Sequence, residues 1–175
     1  MHSLKRLSLG LLTATALVSA NLHAESSAEQ GQVSPRNFVE EASAKGIAEI
    51  ETGRLALEKG STDDVREFAQ TMVEDHTAAN DKLRALAQQK DLEVASDAEL
   101  IAQAKALILQ LRGEGSFDKA YMNNQVAAHQ QTIELFEKAS NAEDAEVAAF
   151  AKEMLPKLES HLKMAEQINA QLPDK

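Results

Sequence analysis

The sequence predicts an all-α fold, a four-helix bundle assembled from two helical hairpins. Apolar residues recur at helical spacing in four long stretches, no stretch alternates in the manner of a strand, and the second half repeats the pattern of the first.

The chain has to be trimmed before its first helix. Lys5 and Arg6 precede an apolar run from Leu7 to Val18, and Leu22-His23-Ala24 offers a cleavage point, which is the pattern of a secretory signal peptide. Residues 1–24 are therefore expected to be a signal peptide, 25–34 a mobile leader without apolar periodicity, and 35–172 the bundle domain. The apolar run is roughly a dozen residues, short of the about 20 that a spanning helix needs, and no comparable run follows. The expected mature protein is periplasmic or secreted, without a transmembrane anchor after signal cleavage.

Ser34 and Pro35 supply a cap and a proline at the first helical position, and the helix they open closes at Gly60. Ser61, with Asp64 three residues later, marks the next start. That helix runs to about Lys90 with Val65, Phe68, Ala69, Met72, Val73, Ala79, Leu83 and Leu86 at helical spacing. Ser96 and Glu99 form a capping-box pattern ahead of a shorter helix over 97–112, ended by Gly113 and Gly115. A third long helix starts near Ser116 and runs to Ser140. After a turn over Asn141 to Asp144, a fourth carries Val147, Phe150, Ala151, Met154, Leu155, Leu158, Leu162, Ala165 and Ile168 until Pro173.

LALEKGS, ending at Ser61, aligns with ELFEKAS, ending at Ser140, and Phe38 falls on Phe117 at the same offset. Val65, Phe68, Ala69 and Met72 align in the same way with Val147, Phe150, Ala151 and Met154. Two copies of a hairpin joined by a long connection with its own helix give the connectivity of a ferritin-like bundle. A connecting helix of about 15 residues spans roughly 22 Å, enough to run much of the bundle's length.

Composition removes several function classes. There is no cysteine, which excludes disulfides, thiolate ligands and lipid attachment at a cysteine, so a metal would be held chiefly by nitrogen and oxygen. Loss of Lys5 and Arg6 with the signal peptide takes the net charge from -10 to about -12, so no nucleic-acid partner is expected. No nucleophile-base arrangement, phosphate-cradling loop or dinucleotide fingerprint is present.

The remaining candidates are the histidines. Outside the expected signal peptide there are three, His76, His129 and His161, one on the apolar stripe of each of the last three long helices. An apolar stripe is an unfavourable place for an imidazole without a partner. On a helical wheel Glu49 occupies the matching inward position of the first helix, and Glu51 points away. The internal repeat places all four near mid-bundle, with His161 about one turn out of register. A kink at Pro156, which cannot donate to Lys152, is one way to absorb the offset.

Three neutral imidazoles and one carboxylate form a plausible shell for a single transition-metal ion, Fe, Cu, Zn or Mn. Asn80, Tyr121 and Gln125 are inward polar groups suited to orienting the ligands as a second shell. Neither His76 nor His161 has a glutamate three residues before it, because Val73 and Leu158 stand there, so the paired Glu-x-x-His signature of di-iron bundles is missing. Met72, Met122 and Met154 also face inward, as soft ligands or core filling. Asp75 lies at the edge of its stripe, as a surface acid or an outer partner.

The strings GIAEIETGRLALEK, VREFAQTMVEDHTAANDKLRALA, FDKAYMNNQVAAHQQTIELFEKA and FAKEMLPKLESHLKMA span nearly the whole mature chain. With their ordered M-V-x-D-H, F-D-x-x-Y and L-P-x-L-x-x-H-L motifs, they resemble the bacterial domain-of-unknown-function 4142 family, exported ferritin-like four-helix proteins. The resemblance implies the fold and the exported location, draws attention to Glu49, His76, His129 and His161, and supplies no activity.

The expected function is that of an exported, periplasmic metal-binding protein in metal handling or in oxidative or envelope stress. Its enzymatic variant is a metal-dependent redox activity. The alternative is a metal-free helical stress or interaction protein of the cell envelope, whose histidines and Glu49 form a structural core network.

Overall fold

The computed structural model describes residues 33–173, apart from 93, 95, 98, 102, 103, 105, 106 and 108–116. The expected signal peptide, most of the leader, and the glycine stop before the third long helix lie outside the described residues. Four long helices follow in order: α1 (Pro35–Lys59), α2 (Asp63–Gln89), α3 (Phe117–Ala139) and α4 (Ala145–Gln171). No strand occurs among the described residues, and the architecture is the ferritin-like bundle that the repeat predicts.

The helix ends follow from local chemistry. Ser34 caps α1 by accepting from the Asn37 N–H, with Pro35 at the first position. Asp144 caps α4 by accepting from the N–H groups of Glu146 and Val147. The start of α2 differs from expectation, because Thr62, not Ser61, is the cap. Ser61 is captured from across the bundle. Its N–H (2.9 Å) and hydroxyl (2.6 Å), with the Thr62 N–H (3.1 Å), donate to the carboxylate of Asp118 at the start of α3. One buried acid thus ties the α1–α2 turn to the second hairpin.

Helices α1 and α2 pack as one hairpin and α3 and α4 as the other; α1 also meets α3, and α2 meets α4. The core has two apolar layers. At one end Phe38, Leu83, Leu86, Leu135, Phe136, Val147 and Phe150 pack together, with Phe38 edge-on to Phe136 at 5.1 Å and to Phe150 at 6.1 Å. At the other end lie Leu55, Val65, Phe68, Met72, Tyr121, Met122 and Ala165. Each large side chain so buried contributes roughly 1.5–3 kcal/mol.

The connection between the hairpins is helical at Asp97, Glu99, Leu100, Ile101, Ala104 and Leu107. Its capping box forms as expected: the Ser96 N–H and hydroxyl each donate to Glu99 at 2.8 Å. Val94 packs on the first apolar layer, Leu100 on Ile47 and Ile50 of α1, and Leu107 on the second layer. The connection therefore runs along the bundle. Helix α4 continues through Pro156.

Candidate metal centre

Between the two apolar layers lies a buried polar stratum: Glu49 from α1, His76 and Asn80 from α2, Gln125, His129 and Thr132 from α3, and His161 from α4. The three imidazoles converge. Ring centroids are 5.6 Å apart for His76 and His129, 5.6 Å for His76 and His161, and 5.5 Å for His129 and His161. His161 is thus no more distant than the others, despite its offset along the repeat. One ring nitrogen from each histidine lies within 4.8 Å of one from each of the others. Nitrogens bound to a shared ion at about 2.0–2.1 Å stand roughly 3.3–3.6 Å apart, so movement on the order of an ångström closes the set.

Hydrogen bonds orient two of the rings. Nδ1 of His129 lies 2.9 Å from the backbone carbonyl of Gln125, an acceptor, so Nδ1 carries the proton and Nε2 keeps its lone pair. Nε2 of His161 donates to Oδ2 of Asp75 at 2.9 Å, which leaves Nδ1 as the free nitrogen. Three imidazole nitrogens are buried with no partner: Nε2 of His76, Nε2 of His129 and Nδ1 of His161. Burial pushes His76 down to about 3, helped by repulsion from the other two rings, and pushes His129 down to about 4. His161 is also lowered by burial, against the pull of Asp75. All three are neutral at pH 7, the form that binds metal.

Asp75 is the residue whose role the sequence left unresolved. Burial opposes its charge, but Lys157 (2.7 Å) and His161 hold its carboxyl below the usual range. Its place beside His76 in the D-H pair was the available signal. A carboxylate bonded to the remote nitrogen of a ligand histidine is a recurrent outer-shell arrangement.

The expected fourth ligand does not join the three. Glu49 is 5% exposed, but its carboxylate falls outside the 4.8 Å group. Burial pushes it up to about 7, against weaker pulls from Gln125 and Lys45. The Gln125 amide makes no hydrogen bond of normal geometry, and Oε2 of Glu49 and the Tyr121 hydroxyl are likewise buried without partners. Tyr121 is raised by burial and by the nearby charge of Glu49. Glu49, Tyr121 and Gln125 thus form a second polar group in the core. Met72 and Met122 belong to the second apolar layer and Met154 to the first.

A cavity of about 30 Å³ reaches His76 and His161; Leu83, Phe136, Phe150, Met154 and Asn80 are among its walls, with Lys45 and Lys157 also on its lining. Asn80 lies flat against α1 because residue 46 is glycine: a Cβ there would stand 2.2 Å from the Asn80 amide oxygen.

No curated protein matches the chain. Among solved structures, CopM in the Cu(I)-bound form is similar at 15% identity and a TM-score of 0.66, over 80% of this chain and 98% of that one. The Ag-bound form of CopM, obtained by soaking, gives 0.67 at 15% identity over 82% and 99%. The Cu(II)-bound form gives 0.63 at 14% over 80% and 98%. At such identities the likeness is one of fold. Residues 20–168 match the model of the family described as a domain of unknown function, DUF4142. With nearly all of its four-helix region inside that match, the chain belongs to the DUF4142 family.

Proposed function

We propose that this is an exported metal-handling protein that binds one transition-metal ion through His76, His129 and His161. The carrying observation is the convergence of three neutral imidazoles, each with one buried nitrogen that has no partner. In a metal-free core network those nitrogens would each bear a desolvation penalty of about 1–3 kcal/mol. Three imidazole donors suit copper or zinc better than magnesium or calcium. CopM, whose solved forms hold copper and silver, makes copper the first ion to test. Asp75 and the Gln125 carbonyl orient the ligands. Glu49, with Tyr121 and Gln125, supplies a buried acid in the same stratum that is available to offset the charge of an incoming cation.

The test is metal titration of untagged mature protein stripped with chelator. Wild type should take up one equivalent of copper, and a His76→Ala, His129→Ala double variant should lose it. Equally weak binding of Cu, Zn, Fe and Mn by both proteins would remove the reading. Export is tested separately, by sequencing the N-terminus of the protein recovered from the periplasm, where cleavage after Ala24 is expected.

A further inference from the structure

The ligand rings have no open approach. Nε2 of His76, Nε2 of His129 and Nδ1 of His161 are buried, and an apolar layer closes the bundle on either side of them, so an ion has to part something on its way in. His129 is bonded to the buried carbonyl of Gln125 on its own helix. His161 is instead bonded to a carboxylate that reaches the surface: the Asp75 side chain is 27% exposed, with Oδ2 on Nε2 of His161 and Oδ1 on the ammonium of Lys157, itself 49% exposed. Asp75 on α2 and Lys157 on α4 thus close the seam between these helices at the height of the site. An exposed ion pair is weakly held, whereas parting an apolar layer uncovers large buried side chains. The same stretch of α4 lacks one rung of its ladder, because Pro156 has no N–H to donate to the Lys152 carbonyl.

We propose that Asp75 is the intake site for the metal cation: the ion displaces the Lys157 ammonium from Oδ1 and passes from that carboxylate to the three imidazoles as the His161 ring gives way. The inference rests on the metal reading above. Oδ1 already holds one cation, at 2.7 Å, and the incoming ion competes with it for the same oxygen. Lys157 is therefore a latch that slows passage in both directions and closes again on Asp75 once the ion has passed. A latch alters rates and leaves the equilibrium alone, because the bound ion does not touch it. The seam carries its own comparison: Lys82 on α2 pairs with Glu153 on α4 at 2.6 Å, equally exposed, and neither is bonded to an imidazole among the described residues.

Cu(II) is the probe. Its uptake by the mature protein is followed by stopped flow through quenching of Tyr121, the one tyrosine of a chain without tryptophan, and its release by mixing loaded protein with excess chelator. Stoichiometry is measured first: a protein that takes up no copper overturns both this inference and the metal reading, whereas full uptake at rates that ignore Lys157 overturns this one alone. Lys157→Ala should raise the uptake and release rates together, each about fivefold, with affinity within about threefold of wild type. Asp75→Asn should slow uptake about tenfold. Lys82→Ala and Glu153→Gln remove the same charges from the same seam and should leave both rates within about twofold, which separates the latch from long-range steering of the cation. Equal acceleration by Lys82→Ala, a release rate unmoved by Lys157→Ala, or faster uptake in Arg84→Ala, which frees the connection at Asp97, than in Lys157→Ala overturns the proposal.

Discussion

The carboxylate of Asp75 on α2 accepts a hydrogen bond from Nε2 of His161 on α4 at 2.9 Å, which leaves Nδ1 as the buried nitrogen of that ring without a partner. Outer-shell partners of this kind are typically worth 10–100-fold in metal affinity. Asp75→Asn should therefore weaken copper binding by about that factor while the far-ultraviolet circular dichroism is unchanged. Lys157→Ala removes only an exposed partner of the same carboxylate, with an expected cost of about 0–1 kcal/mol. Isothermal titration of both variants checks the contrast.

The pH dependence of the metal-free protein follows from opposed shifts. His76 and His129 fall to about 3 and about 4, so below pH 6.5 the unfolded chain takes up protons that the folded chain refuses. Their stabilisation is present above 6.5 and is lost as pH falls. Glu49 rises from 4.5 to about 7, so its contribution is present below 4.5 and is lost as pH rises to 7. Between 4.5 and 6.5 the two histidines outweigh the one acid, at about 1.4 kcal/mol per pH unit for each proton. Stability of chelated wild type should fall on acidification from 6.5 to 5. Glu49→Gln removes the compensating contribution, so its fall should be steeper, and at pH 8 it should be the more stable protein. Urea titrations at three pH values measure both slopes, and parallel slopes would refute the Glu49 assignment.

Much of this centre was legible before any coordinates. A period of 3.6 places His76, His129 and His161 on inward faces, and the internal repeat places them at similar heights, which suffices to bring three long side chains together. Glu49 shows the limit of that reasoning. A wheel gives direction but neither the height nor the rotamer that decides whether the carboxylate on α1 reaches the rings on the other three helices. Asp75 was obscured for a related reason: its role depends on the rotation of α2 against α4, which no single-helix pattern encodes. The same holds for Ser61, whose expected capping role was displaced by Asp118, 57 residues away.

That displacement is itself testable. The Asp118 carboxylate accepts from two backbone N–H groups and one hydroxyl, and hydrogen bonds to a charged group contribute about 1.5–3 kcal/mol each when measured singly. Asp118→Ala should lower the unfolding free energy by about 2–4 kcal/mol without altering metal stoichiometry, as judged by denaturant melts and metal analysis of one preparation.

Phe38 separates fold from site in the opposite direction. It is fully buried against Phe136 and Phe150, in the layer beyond the polar stratum. Phe38→Ala should cost about 3–5 kcal/mol, seen as a lower denaturation midpoint, while copper affinity measured well below that midpoint stays within about threefold of wild type.

The central claim is that three imidazole nitrogens share one ion, and anomalous scattering from a copper-loaded crystal at the copper edge tests it most directly. The account predicts a single strong peak about 2.0–2.1 Å from Nε2 of His76, Nε2 of His129 and Nδ1 of His161. A loaded crystal whose peaks fall only on exposed carboxylates, with the three rings left as they are in the metal-free protein, would contradict it.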